Sequence, residues 1–181
     1  MERHDQTVAW FGVTLPPCTP ELRTAADAHA KERQERYRQA HGSNRTYDKR
    51  GGKYEETSAD GLIAAELFAN SFHTSADWRH HPFGDPGWDV RLLNDWGVNT
   101  KLRQGLLTLN DDELSCEADY FALVEQRTTT SSYIFCGVIR PIDFRRSRVP
   151  IQLRHNALWT VPTETLITPA VFHHKLREPR R

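Results

Sequence analysis

The chain has 181 residues, 38% of them hydrophobic, with 24 Lys+Arg against 24 Asp+Glu and a formal net charge of zero. That length suits one domain with its own hydrophobic core, and no apolar run approaches the roughly 20 residues of a membrane-spanning helix. The three cysteines, Cys18, Cys116 and Cys136, are too far apart for a CxxC zinc ribbon and odd in number for a disulfide framework. The opening Met1-Glu2-Arg3-His4-Asp5 is followed by no apolar stretch, so no secretory signal is expected and the cytoplasm is the expected compartment.

Taken in chain order, Val8 to Val13 predicts a short strand, ended by Pro16, Pro17 and Pro20. Thr19-Pro20-Glu21 is a helix start with proline in the first turn, and the helix should run from Pro20 to Ala40. Its half from Lys31 to Gln39 is polar nearly all round, as in a solvated helix. His41 to Glu56 reads as a basic loop ending in Gly51-Gly52-Lys53. A second helix, capped by Thr57 or Ser58, should reach Phe72. It carries Leu62, Ile63, Ala65, Leu67, Phe68, Ala69 and Phe72 round most of its circumference, which predicts burial. Glu66 falls inside that apolar arc, where an unpaired carboxylate is costly.

Beyond the Gly84-Asp85-Pro86-Gly87 turn the period changes to two. Trp88, Val90 and Leu92 alternate with Asp89, Arg91 and Leu93; after Asn94-Asp95, Val98, Thr100 and Leu102 alternate with Asn99, Lys101 and Arg103. These runs predict a β-hairpin. Gly105 to Leu109 reads as a third strand, Asn110 as the cap of a short helix over Asp111 to Ala118, and Tyr120 to Val124 and Tyr133 to Ile139 as apolar strands. Ala157 to Val161 and Leu166 to Phe172 are short apolar pieces before a basic tail, Arg177 to Arg181. The expected architecture is α/β, one mixed β-sheet flanked by helices. It is expected as a single domain: an N-terminal helical and basic extension over 1–56, a core over 57–148, and a C-terminal extension over 149–181 packed on that core.

The hairpin concentrates the chemistry. Strand residues two apart share a face, so Asn99 and Lys101 project together, and a matching register brings Asp89 alongside. A carboxylate that holds a hard cation and a nearby lysine that steadies phosphate or water are what phosphodiester hydrolysis requires. The helix bearing Glu66, then Gly87-Trp88-Asp89-Val90, a turn and Val98-Asn99-Thr100-Lys101-Leu102, resembles the core of the PD-(D/E)XK nucleases. The continuation from Gly105 through Ala118-Asp119-Tyr120-Phe121-Ala122-Leu123-Val124 to Tyr133-Ile134-Phe135-Cys136-Gly137-Val138-Ile139 resembles it too; together the two cover about half the chain, Ser58 to Ile139.

The resemblance implies a restriction-endonuclease-like core and a Mg²⁺- or Mn²⁺-dependent nuclease, most often acting on DNA and frequently as a homodimer. Asp89 would bind metal, Glu66 would reach it directly or through water, and Lys101 would assist the attacking water. Asn99 stands where the motif has an acid. Either another carboxylate (Glu66, Asp85 or Asp95) makes good the loss, or the domain binds nucleic acid or a partner protein without cutting, as a phage anti-defence protein or a nuclease subunit would. A third reading is an unrelated α/β interaction protein whose hairpin face is ordinary surface. Arg50, Lys53, Arg91, Arg103, Arg140, Arg145, Arg146 and Arg148 are the expected phosphate contacts. His80, His81, His173 and His174 lack metal-ligand spacing and read as structural, and Trp88 reads as core packing.

Overall fold

The computed structural model describes residues 12–41, 52–79, 87–103, 105–127, 131–153 and 156–177. Thr19 caps the first helix, its hydroxyl accepting the Leu22 N–H at 3.2 Å and its carbonyl the Arg23 N–H at 3.0 Å. That helix, α1, runs Pro20–His41 after a two-residue strand β1, Val13–Thr14; of the strand expected over 8–13, residues 8–11 lie outside the described residues and Gly12 is not in a strand. Helix α2 spans Gly52–Asn70, starting six residues before the expected Ser58 cap. Tyr54, Glu55 and Glu56 are unbroken by Pro or Gly and extend the helix backwards at little cost.

The period-two runs form the expected hairpin, β2 (Val90–Arg91) and β3 (Gly97–Leu102), antiparallel with Val90 opposite Val98. β5 (Tyr120–Arg127) lies parallel to β3, with Asn99 beside Phe121 and Lys101 beside Leu123, and β6 (Ser132–Ile139) returns antiparallel to β5. The five-stranded order is β1-β6-β5-β3-β2. A parallel neighbour demands a crossover. This one carries β4 (Leu107–Leu109) and a single-turn helix α3 (Asp111–Leu114).

The expectation of one sheet is corrected here. β3 already has β2 and β5 on its two edges, so β4 has no edge of β3 to join. It pairs instead with β8 (Asn156–Val161), which pairs with β7 (Val149–Leu153), in a separate three-stranded antiparallel sheet. The short helix expected over 111–118 also stops at Leu114. Cys116 turns in against Gly87, so closely that a Cβ on Gly87 would meet its Cβ at 2.6 Å.

The five-stranded sheet separates two apolar clusters. On one face Val90, Val98, Tyr120, Ala122, Val124, Tyr133 and Phe135 pack on α1 and α2; on the other Phe121, Leu123, Ile134, Cys136 and Ile139 meet Leu107, Leu109, Val161 and Phe144. Phe144 comes from α4 (Pro141–Ser147). In β6 the alternation slips, because Leu123 faces Gly137 but Val124 faces Phe135. The extra residue is a β-bulge, and it turns Val138 toward the helices and Ile139 away from them. Gly137 is required there: its φ is +150°, and a Cβ would lie 2.7 Å from the Ile167 carbonyl oxygen. Among the described residues no helix is long and apolar enough to cross a membrane.

The last helix, α5 (Pro169–Lys175), sends Phe172 into the first cluster, where it is fully buried among Phe72, Trp96, Tyr120 and Phe135 with ring centroids 5.1–6.4 Å away. Phe172→Ala should therefore lower unfolding stability by about 3–5 kcal/mol, measured by urea denaturation. A loss below about 1 kcal/mol would mean that the C-terminal segment is not part of the core.

Candidate functional site

β2 is too short to complete the ladder on β3. Its pairs end at Val90–Val98 and Arg91–Gly97, which leaves the Thr100 N–H beyond it without a strand partner. The Asp89 carboxylate takes that place and accepts the Thr100 N–H at 2.6 Å, while the Asp89 N–H donates to the Val98 carbonyl at 2.9 Å. An unmet buried N–H costs free energy comparable to a lost hydrogen bond, so the carboxylate is fixed by the backbone it completes.

Asn99 and Lys101 flank Thr100 and share the face turned toward the second sheet. Asn99 is 8% exposed. Its Nδ2 donates to the Gly87 carbonyl at 2.9 Å, and its Oδ1 is buried without a hydrogen-bond partner. Lys101 is ion-paired, its Nζ 2.8 Å from Glu113 Oε1, with the two side chains 14% and 23% exposed. Asp89 is thus bonded to the residue between Asn99 and Lys101, and strand alternation puts those two on one face of β3.

Glu113 was not among the expected site residues. It forms a reciprocal cap with Asn110 at the start of α3: the Asn110 side chain accepts the Glu113 N–H at 2.7 Å, and Glu113 Oε2 accepts the Asn110 N–H at 2.9 Å. The spacing Asn110-x-x-Glu113 announces that cap in the sequence; its reach to Lys101 depends on the crossover. Arg103 also approaches, with Nη2 at 3.5 Å from Glu113 and Nε on Thr108 Oγ1 at 3.2 Å. Burial pushes the Glu113 carboxyl up, but Lys101, the Asn110 N–H and Arg103 outweigh it and hold the group below its ordinary value.

Glu66 is half-buried and accepts the Ala76 N–H at 3.0 Å. Ala76 bridges Val90 across the outer edge of β2, and the next N–H, of Asp77, donates to the Asp89 carbonyl at 2.7 Å. Glu66 therefore holds the strip of chain that borders Asp89. Among the described residues no three His, Cys, Asp or Glu side chains converge to hold a metal ion. Asp95 lies in the hairpin turn, paired with Arg91 at 2.8 Å. Asp85, Arg50 and the side chain of Lys53 lie outside the described residues.

The later arginines serve the structure in several ways. Arg140 pairs with Asp143 at 2.6 Å, and Arg145 donates to the Leu114 carbonyl, tying α4 to α3. Arg148 sits 4.0 Å over the Trp159 ring and 3.5 Å from Asp111. Arg146 is exposed.

No protein-family model, curated protein or solved structure matches this chain significantly.

Glu113→Gln removes the charge that both Lys101 and the Asn110 N–H use. It should cost about 1–3 kcal/mol at neutral pH. Because the folded carboxyl titrates below its ordinary value of 4.5, its contribution is complete above that pH and is lost as the pH falls through the lower folded value. Urea melts of wild type and Glu113→Gln should converge on acidification below about pH 4. A gap that stays constant to pH 3 would contradict the ion pair.

Proposed function

We propose that the chain is a Mg²⁺-dependent nuclease that hydrolyses phosphodiester bonds of DNA, built on a restriction-endonuclease-like core. The observation that carries this reading is the Asp89 carboxylate docked on the Thr100 N–H at 2.6 Å, with Asn99 and Lys101 on either side of that residue. The order of the elements supports it: a buried helix with Glu66, a hairpin, a crossover, then a strand parallel to β3 and its antiparallel neighbour.

The donor types here, a carboxylate and a neutral amide oxygen, are those a hard divalent cation takes. Asn99 Oδ1 is a buried acceptor with no protein partner, one residue along β3 from the N–H that holds Asp89, and one carboxylate with a neutral oxygen and water suffices for Mg²⁺ or Mn²⁺. Such a cation polarises a phosphoryl oxygen and acidifies a bound water. The chain's own groups do the rest. Asp89 and Asn99 would hold the ion. Lys101, kept in place by Glu113, presents an ammonium to a phosphate oxygen or to the attacking water. Glu66 keeps the strip beside Asp89 in position, and Arg91 and Arg103 add positive charge for the flanking phosphates.

A second reading is favoured by one observation. The Asn99 amide is committed to the Gly87 carbonyl and Lys101 to Glu113, an arrangement that also suits a domain which grips nucleic acid without cutting it. Plasmid assays separate the two. For the nuclease, supercoiled plasmid should be nicked with Mg²⁺ or Mn²⁺, with a loss of about 100-fold or more in Asp89→Ala and Lys101→Ala. Plasmid retained but uncut by wild type with either ion would contradict hydrolysis and leave the binding reading.

Asn99→Asp gives a further test that does not depend on turnover. A carboxylate there sets an oxygen against the Gly87 carbonyl, so in EDTA the variant should be about 1–3 kcal/mol less stable than wild type. Millimolar Mg²⁺ should restore it. A thermal melt indifferent to Mg²⁺ would count against a cation at this position.

A further inference from the structure

An open cleft of about 580 Å³ lies at the outer edge of β2, lined by His29, Asp77, Trp78, Arg79, Trp88 and Arg91. It borders the site directly: Trp88 precedes Asp89, and the Asp77 N–H is bonded to the Asp89 carbonyl. We infer that this cleft seats an unpaired nucleotide, so that the nucleic acid bound beside Asp89 is single-stranded or locally unpaired. The inference rests on the nucleic-acid reading of the neighbouring site but not on hydrolysis.

The lining is that of a stacking site. Trp88 lies so close to β3 that a Cβ at Gly97 would come within 2.9 Å of its ring atoms; the missing side chain is what lets the indole rest there. The Arg91 guanidinium stands over that indole, 5.5 Å from its centroid. His29 and Trp78 also line the cleft, their rings tilted against each other at 5.7 Å. Aromatic faces interleaved with arginine bind bases of any sequence by stacking while the cations take the phosphates.

Charge and size agree with this. Arg79 is braced by Asp77 through contacts of 2.7 and 2.9 Å, and Arg91 by Asp95 at 2.8 Å. A guanidinium carries five N–H donors, more than these carboxylates consume. The Arg79 and Arg91 side chains are 78% and 53% exposed, so donors remain for a phosphate. A recess of this volume falls within the range of small-ligand sites, about 300–1,000 Å³.

The test is binding in EDTA, where nothing is cut. Fluorescein-labelled dT12, rU12 and a 12-base-pair duplex are titrated with the full chain by anisotropy, alongside quenching of tryptophan emission. The single strands should bind at least tenfold more tightly than the duplex and quench the emission; the ratio of dT12 to rU12 reports whether deoxyribose is preferred. Trp88→Leu should weaken dT12 binding about tenfold, the loss of one stacked base, and Trp88→Phe should retain most of it. Arg79→Ser, at an exposed position, should weaken it several-fold whether or not the Trp88 variants fold. Equal affinity for strand and duplex, or dT12 binding unchanged in Arg79→Ser and in a folded Trp88→Leu, would overturn the inference. Metal-dependent cleavage without single-strand preference would refute this inference alone. Single-strand binding without cleavage would refute hydrolysis alone.

Discussion

Everything at the candidate site depends on one backbone N–H. β2 contributes two residues to the ladder, and the Thr100 N–H lies just past its end. The Asp89 carboxylate closes that gap at 2.6 Å, which makes an acidic side chain part of the sheet. Because the carboxylate is bound to the middle residue of Asn99-Thr100-Lys101, the three polar side chains are fixed relative to one another by strand geometry. Asp119 ties β3 from the other side: its carboxylate accepts the Gly97 N–H at 2.9 Å, and its own N–H donates to the Gly97 carbonyl at 2.8 Å.

The second sheet and its crossover cover the polar face of that strand. One face of β3 sends Val98 into the helical core. The other face meets the crossover, where β4 and α3 supply Thr108 to Arg103 and Glu113 to Lys101. A crossover made only of helix would cover this face with apolar side chains. The single turn of α3 brings a capping carboxylate instead, and the same Glu113 closes the helix start and neutralises the lysine. Phe144 and Arg145 of α4 then clamp the crossover from outside, through the second apolar cluster and the Leu114 carbonyl.

Much of this was legible in the residues. The period of two from Trp88 to Arg103 marks the hairpin, Thr19-Pro20-Glu21 the first helix, and the β-branched and aromatic run Tyr133 to Ile139 a central strand. Asn99 and Lys101 share a face because side chains in any strand alternate. The second sheet was not legible, since Leu107–Leu109 is too short to signal a partner and β7 carries Pro150 within its run. Its pairing with residues about fifty positions away is set by β3 having no edge left. Asp89 sits at a bend before β2, so alternation alone does not reveal that its carboxylate enters the ladder. Trp88 is half-buried on Gly97 beneath Arg91, where a core position was expected.

The cation site proposed on β3 joins Asp89 to the unpartnered Asn99 oxygen. Electron paramagnetic resonance of Mn²⁺ titrated into the purified chain addresses it without any substrate. One bound ion should appear in wild type, disappear in Asp89→Ala, weaken at least tenfold in Asn99→Leu, and persist in Glu66→Gln, whose carboxylate serves Ala76. No bound ion in wild type, or the same ion retained in Asp89→Ala, would contradict the claim.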